Sequence, residues 1–199
     1  MLEIIHVNGC YKPEQQMNEP PEGSSELYYA FLGEMVDQHI ADGGDVVYRL
    51  NMGTVNTDRD LKDDLETAIS IDPLLNNLNH RAKVKVMPDG LSVDTQKIHE
   101  VEDEVVGSFG RIVLVGAYLE ACVASIRNDI RSRNGATAAI RVSIDEEYSL
   151  STYAPSGVEA DIELQALQHG LVHEALCAAK DEESYFVSNH SKGGGHVDS

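Results

Sequence analysis

Short β-branched runs alternate along this chain with longer stretches whose apolar residues recur every three or four positions. Ile112 to Val115 is a continuous apolar run bounded by Gly116, which predicts a buried strand of a parallel sheet. After it the period changes. Leu119, Val123, Ile126 and Ile130 follow at spacings of four, three and four, while Arg127, Asn128, Arg131 and Arg133 fall on the opposite face. That pattern predicts an amphipathic helix stopping near Asn134-Gly135, with a further strand from Ala138 to Ile144.

The same reading gives the rest of the chain. Leu2 to Val7, Asp45 to Leu50 and Ala82 to Met87 read as strands, the last ended by the turn formers Pro88-Asp89-Gly90. Ser24 or Ser25 can cap a helix running to about Ala41, with Leu27, Phe31, Met35, Val36 and Ile40 inward. Asp58 to Leu78 is helical with a break near Pro73, and Thr95 to Val106 is a second acidic, amphipathic helix. Lys12 to Ser25, with three prolines, reads as a loop placed where a lid could stand. Beyond an irregular stretch, Val158 to Lys180 carries an apolar stripe that includes Cys177, and Ser184 to Ser188 can form an edge strand. Strand and helix in alternation predict a three-layer α/β fold, a doubly wound parallel sheet with right-handed crossovers. Its site is expected at the carboxyl ends of the strands, near the switch in strand order. One domain over residues 1–188 is expected, with residues 189–199 as a disordered tail whose His190 and His196 do not indicate a metal.

Composition narrows the partners. Fifteen basic residues against 34 acidic ones give a net charge of −19, which argues against nucleic acid or an anionic membrane. Cys10, Cys122 and Cys177 lack the spacing of a disulfide framework, which suggests a reducing compartment. The N-terminal apolar run is too short for a signal peptide and no run approaches bilayer length. A cytoplasmic protein is expected.

Cys122 stands at or near the first turn of a helix that follows a buried strand. There the unpaired N–H groups and the positive helix end favour a thiolate and can hold an oxyanion. Gly116, Cys122-Val123, Asp129, Gly135 and the strand ending at Asp145 together resemble the nucleophile segment of isochorismatase-like cysteine hydrolases, a family that includes nicotinamidases and other small-amide hydrolases. The resemblance implies Cys122 as nucleophile, the amides of Tyr118 and Cys122 as oxyanion hole, and a cis peptide at Ala117–Tyr118. At the end of the first strand the family places an Asp as general acid/base, followed by an amide and an aromatic residue. Here His6 takes the Asp position, with Asn8 and Tyr11 as the amide and the aromatic. Asn8, Tyr11 and Tyr118 are thereby implied in substrate binding. The family Lys falls on Lys85, with Lys83 as the alternative. Nicotinamidases hold a metal after the second strand, but Arg49-Leu50-Asn51-Met52-Gly53-Thr54 offers neither His nor carboxylate. No metal site and no cofactor are expected, and His39, His80 and His99 lack ligand spacing.

Three functions fit these residues. The first is hydrolysis of a small-molecule amide or related C–N carbonyl compound by Cys122, with His6 as base in place of the absent Asp. A homo-oligomer is expected, as is common in the family. The second is a binding or structural oligomer that keeps the pocket and has lost or redirected the chemistry. The third is a redox-sensitive thiol at Cys122, with Cys10 as partner.

Overall fold

A computed structural model describes residues 1–8, 24–52, 61–90 and 93–150. Five strands build one sheet: β1 (Leu2–Ile5), β2 (Val46–Asn51), β3 (Val84–Asp89), β4 (Ile112–Gly116) and β5 (Val142–Ile144). Their order is β3-β2-β1-β4-β5, and every ladder is parallel. The chain therefore winds outward from β1 to β3, returns to the other side of β1 at β4, and winds outward again. The switch in strand order lies between β1 and β4, where an open α/β sheet leaves a crevice at the carboxyl ends.

Helices cover both faces. On one side α1 (Ser24–Ala41), α2 (Leu61–Ile71) and α3 (Pro73–Asn77) close over Ile4, Tyr48, Leu50 and Val115. On the other, α4 (Gln96–Gly107) and α5 (Ala124–Ala139) close over Ile5, Ile112 and Leu114. This is the three-layer α/β architecture that the alternating pattern predicted. Asp72 separates α2 from α3: its carboxylate accepts from the Leu75 N–H at 2.8 Å and from the Tyr48 hydroxyl at 2.9 Å. Pro73 at the first helical position then has no N–H to leave unpaired. Among the described residues, no helix is long and apolar enough to cross a membrane.

Three local expectations are corrected. The buried stripe of α1 is Tyr28, Tyr29, Leu32, Val36 and Ile40, while Leu27, Phe31 and Met35 are only partly buried. Tyr29 packs its ring inward and donates its hydroxyl to the Val7 carbonyl at 2.9 Å. The helix after β4 breaks where the spacing put its end, but the chain does not pass straight into a strand. Gly135, at φ 62° and ψ −147°, breaks it, and a further turn runs to Ala139, so β5 begins at Val142 rather than Ala138. Third, β3 continues through Pro88 to Asp89. A proline is tolerated there because β3 is an edge strand, where its missing N–H need cost no ladder bond.

Gly116 ends β4 at φ 141°, and a Cβ built on it would lie 2.2 Å from the Ile5 carbonyl oxygen and 2.8 Å from the Ile5 nitrogen. The clash is with backbone at the sheet centre, so no side chain can move aside. Gly116→Ala is expected to cost about 2–3 kcal/mol, read as a fall in melting temperature of roughly 4–12 °C. A variant melting within about 1 °C of the parent would show that β1 and β4 can part without loss.

Candidate active site

Two chain turns meet at the switch point. At the first, β1 gives way to His6, which adopts φ 49°, a left-handed conformation uncommon for a residue with a Cβ. Its N–H still donates to the Arg49 carbonyl at 3.1 Å, so β2 holds the turn in place. Just beyond, the Asn8 side chain donates to the Asn51 carbonyl at 2.8 Å and accepts from the Asn51 N–H at 2.9 Å. This two-bond clip spans the ends of β1 and β2. It occupies both ends of the amide that the resemblance implied for substrate.

The second turn follows β4. The Ala117–Tyr118 peptide is cis, as the resemblance implied. Leu119 to Val123 then forms a single π-type turn that leads into α5, the kind of turn often found at functional positions. The N–H groups of Ala121 and Val123 both donate to the Tyr118 carbonyl, at 3.0 and 3.1 Å. Leu119 donates to the Leu150 carbonyl at 2.8 Å, and Leu150 to Gly116 at 3.0 Å, so residues beside Leu150 brace this turn. Cys122, a free, half-buried thiol, sits within it.

These turns bring Cys122 and His6 together, and a third group joins them. His6 Nε2 lies 3.0 Å from Oδ2 of Asp89, the last residue of β3. Its Nδ1 faces away from Asp89 and is buried, and the Cys122 thiol is the other side chain that acts on the ring. Burial alone would lower the His6 pKa. Hydrogen bonding and charge from Asp89, together with the same interactions from Cys122, outweigh burial and raise it to about 9. The Cys122 thiol is lowered from its ordinary value, chiefly by hydrogen bonding with His6, against burial and with help from His6 charge and the Tyr118 amide. Burial would raise the Asp89 carboxyl, but hydrogen bonds from His6 and Arg49 hold it well below the usual carboxylate range. The lowered thiol, raised imidazole and lowered carboxyl each favour the charged form, so the three groups in series stabilise one another's charges.

Asp89 leans in turn on a charge cluster buried between the sheet and α4. Arg49, 3% exposed, donates Nη1 to Asp89 Oδ2 at 3.0 Å, Nε to Glu3 and Nη2 to Glu102. Glu3 and Glu102 are fully buried. Burial and the nearby Glu102 push the Glu3 carboxyl up to about 8 despite Arg49. Carboxyls from three elements crowd one guanidinium, and retaining one proton relieves their repulsion. The second oxygen of Glu102 is bonded by Arg133 of α5, which also reaches Asp103 at 2.7 Å and Asp129 at 3.1 Å.

Lys85 is not part of this site. It is an exposed residue near the start of β3, in register with Val47, whereas Asp89 pairs with Asn51 four positions further on. With Lys83 it lines a cavity of about 420 Å³ beside Met1, Asp45 and Val46, at the amino ends of the strands. The misplacement follows from ending β3 at Met87, which put Lys85 too close to the strand's carboxyl end. Asp89 was missed for the same reason, since Pro-Asp-Gly reads as a turn. The usable signal was its two-residue alternation with Met87 and Lys85.

Tyr118 is partly buried against the α1 side of the core. Tyr11, Cys10, Cys177, the Lys12 to Ser25 loop apart from its described end, the Val158 to Lys180 helix, the Ser184 to Ser188 strand and the 189–199 tail lie outside the described residues. Among the described residues, His99, Glu102 and Asp129 bring ligand atoms within 4.8 Å of one another. Arg133 bonds both carboxylates, so this group is an ion-pair cluster already neutralised by a cation. His39 contacts the Asp45 carbonyl and His80 the Asp37 carboxylate, each at a separate place.

The sequence matches no protein-family model and no curated protein. Among solved structures it aligns with the pyrazinamidase of Pyrococcus horikoshii in complex with zinc, at 12% identity over 85% of this chain and 94% of that one, with a TM-score of 0.45. It also aligns with the nicotinamidase PncA of Bacillus subtilis, at 14% identity over 84% and 92%, TM-score 0.46. The pyrazinamidase/nicotinamidase of Streptococcus mutans gives 12% identity over 84% and 93%, TM-score 0.43.

Proposed function

We propose that the protein is a cysteine hydrolase of a small-molecule amide or related C–N carbonyl compound, with Cys122 as nucleophile, His6 as general acid/base and Asp89 as the group that orients His6. The observation that carries this reading is His6, held by a carboxylate on one nitrogen and coupled to the thiol of Cys122, at the switch point of the sheet. A structural cysteine has no need of such a partner, and a buried thiol in apolar surroundings is normally raised rather than lowered.

The chemistry follows from these groups. The Cys122 thiolate adds to the substrate carbonyl carbon, and the carbonyl electron pair moves onto oxygen. The N–H groups of Tyr118 and Cys122 would hold that oxyanion. Collapse of the intermediate expels the amine, which takes its proton from the His6 imidazolium and leaves a thioester on Cys122. Neutral His6 then removes a proton from an incoming water whose oxygen attacks the thioester. The carboxylic acid departs, the thiolate returns, and His6 is again protonated. One water is consumed, and one acid and one amine are released.

Asp89 keeps His6 cationic in the resting state and fixes which nitrogen faces the thiol, as a carboxylate does in other nucleophile–histidine arrangements. Lys85 has no place in this scheme. No cofactor enters it, and the partner it requires is a small molecule. Association into a homo-oligomer and residence in the cytoplasm remain part of the proposal.

The experiment is incubation with a panel of small amides and their activated ester analogues, with mass spectrometry of the intact protein and its Cys122 peptide. The expected product is an acyl adduct on Cys122, of substrate mass less the leaving group, formed at lower pH than an ordinary thiol needs and slowing as pH passes about 9. The descending limb is the loss of the His6 proton needed by the leaving amine. If Cys122 is readily alkylated yet no adduct or released amine appears across the panel, the pocket serves binding rather than hydrolysis.

A further inference from the structure

We propose that Arg49 is a positioning residue for the Cys122–His6–Asp89 series, fixing the Asp89 carboxylate from behind while Glu3 and Glu102 fix Arg49. This inference rests on the hydrolase reading and extends it to a residue of the buried layer that touches neither substrate nor nucleophile.

Three observations carry it. First, Arg49 Nη1 and His6 Nε2 share the same oxygen, Asp89 Oδ2, each at 3.0 Å. The other oxygen, Oδ1, accepts from the Gly90 N–H at 2.7 Å. Asp89 thus has no freedom to rotate away from His6 while Arg49 is in place. Second, the guanidinium is itself held at all three nitrogens, by Glu3, Asp89 and Glu102 from β1, β3 and α4. Only a planar fork reaches three carboxyls at once, and a lysine ammonium on the same stem would reach fewer. Third, the position is unusual for a purely structural charge. Arg49 lies mid-sheet, on β2, with Val47 two positions before it in the core against Met87 and Ile98. A well-packed apolar side chain there is commonly as stable as a buried ion cluster.

The electrostatic role is as specific as the steric one. Two cations meeting on one carboxylate oxygen would repel, and an uncompensated guanidinium would strip His6 of its proton. Glu102 offsets that charge, and Glu3 adds a further hydrogen-bond acceptor, so Asp89 can serve Arg49 and still hold an imidazolium. The line of contacts continues through Glu102 to Arg133, which anchors the buried cluster to α5.

The test measures the thiol pKa of Cys122 from the pH dependence of iodoacetamide alkylation in four proteins: parent, His6→Ala, Arg49→Lys and the double variant. Arg49→Lys keeps the charge and loses the fork. It is expected to raise the thiol pKa and slow alkylation near neutral pH by about threefold or more, with no further slowing when added to His6→Ala. Should Arg49→Lys fail to fold, Glu102→Gln is measured in its place, with a smaller shift expected in the same direction. A folded Arg49→Lys or Glu102→Gln with the parent's pH profile overturns the positioning role. An equal slowing in parent and His6→Ala backgrounds overturns it too, since the effect would then bypass His6. The two readings fail differently: an unshifted His6→Ala sinks the Cys–His pair itself, whereas a shifted His6→Ala beside an unshifted Arg49→Lys sinks only the role of Arg49.

Discussion

Alkylation of Cys122 by iodoacetamide near pH 7 is expected to slow at least about tenfold when His6 is replaced by alanine, because an unassisted thiol with pKa near 8.5 is only about 3% thiolate there. In the parent, hydrogen bonding with His6 is the largest influence lowering the thiol. Removing the ring leaves burial, which acts in the opposite direction. Since His6 stands at φ 49°, alanine also pays for a left-handed backbone. His6→Asn is the better-tolerated companion, because asparagine adopts that conformation more readily. Both variants should place the thiol pKa at or above the ordinary value, with the label located on Cys122 by peptide mass spectrometry. Asp89→Asn, which keeps the shape and removes the charge, should give a change in the same direction and roughly a third as large on a logarithmic scale. If neither His6 variant shifts the alkylation profile, the thiol is not activated by the imidazole, and the hydrolytic scheme loses its base.

The largest effect on stability is expected at Arg49. Arg49→Met keeps the bulk and deletes the cation shared by Glu3, Glu102 and Asp89. Removing one partner of a buried ionic group leaves uncompensated charge and costs about 3–5 kcal/mol, a large part of the roughly 5–15 kcal/mol that holds a domain together. In a chain of this size the corresponding fall in melting temperature is about 6–20 °C. The loss should shrink in mildly acid solution, where the orphaned carboxyls can take up protons and cease to be charges. Thermal melts across acid to neutral pH check this. An Arg49→Met protein that melts like the parent at neutral pH would mean the cluster is hydrated rather than dry.

The layers of the fold could be read from periodicity because apolar patterning and topology rules leave few alternatives for strand–helix repeats. Ile112 to Val115 and the stripe through Ile126 and Ile130 lie where the spacing put them. Cys122 was legible as a thiol at the start of a helix that follows a buried strand, and His6 only through the family resemblance that puts it at the end of the first strand. Asp89 could not, because proline punctuates a central strand but is permitted in an edge strand, and strand position in the sheet is not a local property. The buried charges were illegible for a related reason. Apart from Asn51 at the end of β2, Glu3 and Arg49 sit in strands otherwise composed of Leu, Ile, Val and Tyr, and period alone gives no sign that their partners arrive from β3 and α4. At α1 the apolar residues Leu27, Phe31 and Met35 lie one position off the buried stripe, which is completed by Tyr28, Tyr29 and Leu32, residues amphipathic or shared between two faces of the same period.

The proton inventory of the site has a consequence for how the whole molecule unfolds. In the Cys122–His6 pair the folded thiol is lowered and the folded imidazole raised, shifts of opposite sense that offset one another in the proton balance of unfolding. Glu3 is different. Its folded pKa of about 8 lies above the ordinary 4.5, so its contribution to stability is complete below the lower value and is lost as pH climbs toward the upper. Between these limits unfolding discharges about one proton, and stability falls by roughly 1 kcal/mol per pH unit. Calorimetry in two buffers of unequal ionisation enthalpy should show that proton as a difference in apparent unfolding heat, and Glu3→Gln should abolish it. Equal heats in both buffers for the parent would mean that Glu3 is ionised beside Arg49. Unequal heats would instead mean that a glutamate taking no part in the chemistry sets the alkaline limit of the fold.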